Sequence, residues 1–87
     1  MKRYAMNRIK VLFFATLRDR AGTKSVDLEI PADTTVQALK GLVVEAYPGL
    51  QQTMESVVIS INREFAFDES IVPLNAEVAM FPPVSGA

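Results

Sequence analysis

An 87-residue chain has room for one small domain and little more. Its 49% hydrophobic content supports a real core, and its formal charge of -1, with acids and bases mixed along the chain, lacks the positive field that nucleic acid demands. The absence of Cys and His excludes disulfides, thiol nucleophiles, Ser-His-Asp triads and Cys- or His-based metal sites. The chain opens with Lys2, Arg3, Arg8 and Lys10, a short basic cluster read as a solvated start. Residues 1–7 are a candidate extension, with Met6 a second candidate start, because the patterned sequence begins at Ile9. They are too short and polar for a signal peptide. No apolar run approaches the roughly 20 residues of a membrane helix, so the expectation is a cytoplasmic protein without a membrane partner. Residues 9–16 alternate as a strand. Ile9, Val11, Phe13 and Ala15 share one face and Leu12 and Phe14 the other. A strand apolar on both sides reads as central, the alternative being an outer face that meets a partner.

Residues 17–22 form a short polar connection closed by Gly22. Residues 24–30 then alternate cleanly, with Val26, Leu28 and Ile30 inward, and the first two strands predict an antiparallel hairpin. Pro31 breaks the strand. Thr34 followed by Gln37 fits a capping box, and Val36, Leu39, Val43 and Ala46 follow at helical spacing. Pro48 disfavours helical geometry at Tyr47 and ends the helix. Residues 57–61 predict a third strand, Asn62 and Arg63 a turn, and residues 64–67 a short fourth strand. Phe65 and Phe67 are read as core or hairpin packing, since aromatic residues suit strands. A loop broken by Pro73 leads to a last strand over residues 77–81, and Pro82 and Pro83, which have no N–H to donate, stop any further pairing. One long helix after a hairpin, followed by more strands, predicts an α+β domain. A mixed sheet of about five strands packed on one main helix is the β-grasp, ubiquitin-like arrangement. The whole of 1–87 reads as a single domain, with 82–87 an extended functional tail.

Two blocks carry a family resemblance. The first runs Ile9-Lys10-Val11-Leu12-Phe13-Phe14-Ala15-Thr16-Leu17-Arg18, closed by Gly22; the second runs Glu77-Val78-Ala79-Met80-Phe81-Pro82-Pro83-Val84-Ser85-Gly86. Both are similar to the small subunit of molybdopterin synthase, a family of sulfur carriers, and the helix opening at Thr35-Val36 with Leu39 also fits. The resemblance implies a non-catalytic subunit that binds no cofactor. It implies that a ubiquitin-activating-like adenylyltransferase uses ATP to activate the C-terminal carboxylate, here at Gly86 and Ala87, which then becomes a thiocarboxylate. The tail would enter the synthase large subunit, giving sulfur to cyclic pyranopterin monophosphate, in a heterotetramer with two small subunits on a large-subunit dimer. Phe81, Pro82, Pro83, Val84, Ser85 and Arg18 are the partner-binding residues so implied.

The residues themselves support part of that picture. A chain without Cys cannot hold a persulfide, so if it carries sulfur covalently the terminal carboxylate is the natural place. Residues 82–87 reach roughly 20 Å when extended, enough to thread into a buried site on another protein. Pro82 and Pro83 lower the entropy lost on ordering the tail, and Gly86 presents no Cβ to a narrow channel. The family ends in Gly-Gly, whereas this chain has Gly86-Ala87, placing a methyl on the residue to be activated. Three readings stay open: processing or fusion beyond Ala87, a changed residue, or a carrier with a terminal alanine. The alternatives in function are a carrier for thiamin or tRNA thiolation, and a ubiquitin-like interaction module that is never activated.

Overall fold

The computed structural model describes residues 6–83. Strand β1 (Met6–Phe13) buries Asn7, Ile9, Val11 and Phe13 and turns Arg8, Lys10 and Leu12 to the opposite face. It begins at Met6 rather than Ile9, so Met6 and Asn7 belong to the sheet and not to an extension; residues 1–5 lie outside the described residues. The early start has a chemical cause in Asn7, which is only 1% exposed. Its Nδ2 donates to the carbonyls of Val72 (3.3 Å) and Pro73 (2.8 Å), and its Oδ1 accepts from the N–H of Asn75 at 2.7 Å. A polar residue thus occupies a core position because its amide is fully paired. Replacing it, Asn7→Ala, orphans those backbone groups and costs about 2–3 kcal/mol. Urea denaturation should show a lower midpoint at an unchanged slope. A midpoint equal to that of the native chain would remove Asn7 from this role.

The segment expected as a polar connection is instead a short helix, α1 (Thr16–Ala21). Its one buried residue is Leu17, with Ala21 half-buried beside the core and residues 16 and 18–20 exposed, so no periodic apolar stripe marks it. Gly22 ends it in the left-handed region at φ 77°, donating its N–H to Arg18 O at 2.9 Å. Strand β2 (Ser25–Pro31) then pairs antiparallel with β1, placing Val26 opposite Val11 and Leu28 opposite Ile9.

Helix α2 (Val36–Ala46) buries Val36, Leu39 and Val43, the stripe its spacing predicts, while Ala46 is exposed. The cap is Thr35, not Thr34: the Thr35 hydroxyl accepts from the N–H of Ala38 at 3.2 Å. Thr34 is buried and donates to the carbonyl of Pro31, so no capping box forms with Gln37. The helix ends at Tyr47, and Pro48 opens a 3₁₀ turn (Pro48–Leu50) that runs into α3 (Gln51–Met54). Leu50 and Met54 plug one end of the core from these short turns.

Strands β3 (Val58–Ile61), β4 (Glu64–Ala66) and β5 (Glu77–Phe81) complete a five-stranded sheet ordered β2-β1-β5-β3-β4. The pair β1–β5 is parallel; the others are antiparallel. Val78 and Met80 therefore sit in the middle of the sheet, fully buried against Val11, Phe13, Ile59 and the α2 stripe. This is the expected α+β arrangement, with helices covering one face of a mixed sheet. Among the described residues no helix is long and apolar enough to cross a membrane.

Candidate functional site

Among the described residues the helices cover one sheet face, and the other is open. Register assigns that open face. Leu12 lies opposite Ala79, Ala79 opposite Ser60, and Ser60 opposite Phe65, one residue each from β1, β5, β3 and β4. Val58 lies opposite Phe81 one step nearer the end of β5. At the other end of the same face the side chains are charged, with Arg8 opposite Glu29 and Lys10 opposite Asp27. Opposite charges across a strand pair favour water and this register. The open face thus divides into a charged half and an apolar half.

The apolar half stands where β5 ends. Phe14 follows β1 but keeps its ladder: its N–H donates to Met80 O at 3.2 Å. Its ring stacks on Phe81, with centroids 4.7 Å apart and planes 12° from parallel. Phe14 is nevertheless 41% exposed. Offset aromatic stacking adds about 0.5–1.5 kcal/mol beyond burial, so the pair forms a rigid apolar platform. With Leu12, Ser60, Phe65 and Ala79 it lines an open concavity of about 370 Å³, whose wall also includes Arg63 and Glu77. Beyond Phe81, Pro82 is half-buried and Pro83 exposed, and neither can extend the sheet.

Of the residues singled out from sequence, Phe81 and Arg18 come together through Phe14. Arg18, exposed on α1, lines a neighbouring concavity with Phe14, Leu12, Lys10, Lys24 and Ser25. A basic border therefore flanks the aromatic platform. Among the described residues the only ion pair is Lys40–Asp68 at 3.0 Å, far along the sequence from this border. Val84, Ser85, Gly86 and Ala87 lie outside the described residues. The reading of Phe65 and Phe67 as packed residues fails, since they are 78% and 71% exposed. The sequence held the signal for Phe65. A two-residue turn at Asn62-Arg63 pairs Ser60 with Phe65, and alternation from the buried Ile59 and Ile61 then sends both outward.

These features define a ubiquitin-like β-grasp protein whose free sheet face is apolar at the root of its C-terminal segment. The model of the ThiS family matches residues 11–86, and the chain belongs to that family. It is 36% identical over 78 residues to a protein of Arabidopsis thaliana named molybdopterin synthase sulfur carrier subunit, covering 90% of this chain and 81% of that one. A protein of the same name from Chlamydomonas reinhardtii is 32% identical, over 91% of this chain and 98% of the other. Among solved structures, small archaeal modifier protein 1 of Haloferax volcanii superposes with a TM-score of 0.82 at 26% identity, covering 90% of this chain and 99% of that one.

Proposed function

We propose that this chain is the sulfur carrier subunit of molybdopterin synthase. The alignment with carriers of that name, over about nine-tenths of the chain, carries the reading, and the family match extending to residue 86 takes in the tail. In the proposed cycle a ubiquitin-activating-like adenylyltransferase joins the terminal carboxylate to the α-phosphate of ATP and releases pyrophosphate. A sulfur donor then displaces AMP, leaving a thiocarboxylate. The charged tail enters the large subunit and gives its sulfur to cyclic pyranopterin monophosphate. Repetition with a second charged carrier completes the dithiolene that binds molybdenum. The carrier supplies no acid, base or metal of its own and acts in the cytoplasm. Two carriers on a large-subunit dimer form the heterotetramer.

The open face explains how such a carrier docks. The apolar half supplies desolvation area beside the end of β5, and stacking on Phe14 holds the Phe81 ring in place there. A structure of the complex of subunits 1 and 2 of molybdopterin-converting factor from Helicobacter pylori contains a chain of this fold, with a TM-score of 0.63. The test is reconstitution. Charged carrier, large subunit and cyclic pyranopterin monophosphate should yield the dithiolene product, and the carrier should end as the carboxylate. A charged carrier that binds the large subunit but retains its sulfur contradicts the proposal. The likeness to small archaeal modifier protein 1 favours one competing reading, a modifier of other proteins, which predicts covalent adducts stable in denaturing gels.

A further inference from the structure

Among the described residues, five other than glycine adopt positive φ: Ala15, Asp33, Asn62, Arg63 and Asn75. Asp and Asn visit this region readily because their short polar side chains bond locally. Ala15 and Arg63 have no such excuse, and both border the open face: Ala15 follows Phe14, and Arg63 lines the concavity with Phe65 and Phe81. Arg63 occupies the second position of the two-residue turn joining β3 and β4. Asn62 at φ 50° and Arg63 at φ 73° give that turn the paired positive φ values of a type I′ hairpin, where the favoured sequence is Asn-Gly. The turn is held in place regardless. Asn62 donates its N–H to Glu77 O at 2.8 Å, and its Oδ1 accepts from the N–H of Glu77 at 3.0 Å. A disfavoured backbone persists when its surroundings over-determine it, and such strain clusters at binding sites.

We infer that Arg63 is a specificity residue of the carrier's docking face, presenting its guanidinium to a carboxylate on the large subunit. The inference rests on the partner assigned in the proposed function. Its guanidinium makes no ion pair with any described residue, although Glu77 lines the same concavity. An arginine beside an aromatic, desolvating surface is the side chain suited to bidentate recognition of a carboxylate. A glycine would serve the turn better and the interface not at all.

Binding of the full-length chain to the large subunit, measured by calorimetry at two salt concentrations, tests this together with thermal melting. Arg63→Gly should raise the melting temperature by about 3 °C through relief of strain. It should also weaken binding about tenfold and flatten its salt dependence. Arg63→Glu keeps the Cβ and so the strain; it should leave the melting temperature near the native value and weaken binding further. Native-like affinity and salt dependence in both variants overturn the assignment of Arg63 while leaving the carrier reading intact. Failure of the native chain itself to bind the large subunit overturns both.

Discussion

Deletion of residues 84–87 should abolish sulfur transfer while leaving the domain folded. The described residues already make a closed core: Ile9, Val11, Leu39, Val43, Val78 and Met80 are at most 1% exposed and belong to one cluster. β5 ends at Phe81, and Pro82 and Pro83 cannot add to the sheet. The truncated chain should therefore melt within a degree or two of the full chain. The proposed chemistry, by contrast, resides entirely on the deleted carboxylate. Product formation by the reconstituted synthase should fall to background, a loss of at least about a thousandfold, since the new terminal carboxylate, on Pro83, stops roughly 13 Å short of the full tail's reach. Retained turnover by a folded, truncated chain would end the tail mechanism. Loss of folding would show that the tail contributes to the core, against the placement of β5.

Phe81→Ala should have the second-largest effect, and on binding rather than stability. Phe81 is half-buried and its ring lies on Phe14 at 4.7 Å. In a docked complex the pair would be desolvated at the centre of the interface, where an aromatic truncation typically costs about 2–4 kcal/mol. Affinity for the large subunit should drop about 30- to 1000-fold. The isolated chain loses the stacking and part of the apolar contact, so its unfolding free energy should fall by only about 1–2 kcal/mol. The neighbouring residue supplies the control. Met80 is fully buried on the opposite sheet face, so Met80→Ala should cost about 2–5 kcal/mol of stability. Any loss of affinity there should track the unfolded fraction. Equal affinity of the native and Phe81→Ala chains would remove the aromatic platform from the docking surface.

Much of the fold was legible because it is written in simple periods. The alternation of Ile9, Val11 and Phe13, and of Val78 and Met80, marks the two strands that meet at the centre of the sheet. The stripe Val36, Leu39, Val43 marks the helix, and the prolines at 48, 82 and 83 mark stops. What escaped was short or polar. α1 is anchored by Leu17 with only Ala21 packed beside it, and the turns from Pro48 to Met54 are too brief to show a period. Asn7 breaks the alternation of β1 while obeying its geometry, because its burial depends on backbone groups far along the chain. The parallel pairing of β1 with β5 is a long-range choice that neither segment encodes locally.

The candidate site divides in the same way. Phe81 and the prolines were visible as a motif, and Leu12 with Phe14 as an excess of apolar residues on an already apolar strand. Strand propensity alone gives Phe65 as core or hairpin packing and says nothing about which face it takes; the two-residue turn that pairs Ser60 with Phe65 settles that. Arg63 carried no signal as an arginine. Its meaning comes from φ 73° in a turn that glycine would fill more comfortably.

The central claim is that the terminal carboxylate of this chain carries sulfur. The direct measurement is intact mass after incubation with ATP, a sulfur donor and the cognate adenylyltransferase, alongside an Ala87→Gly chain. The account predicts a gain equal to the exchange of one oxygen for sulfur, about 16 Da, mapped to the terminal peptide and dependent on ATP. A gain confined to the Ala87→Gly chain would show that the terminal methyl blocks activation of a competent carrier. No gain in either chain, with the adenylyltransferase shown to be active on another carrier, would contradict the account and leave a ubiquitin-like binding module.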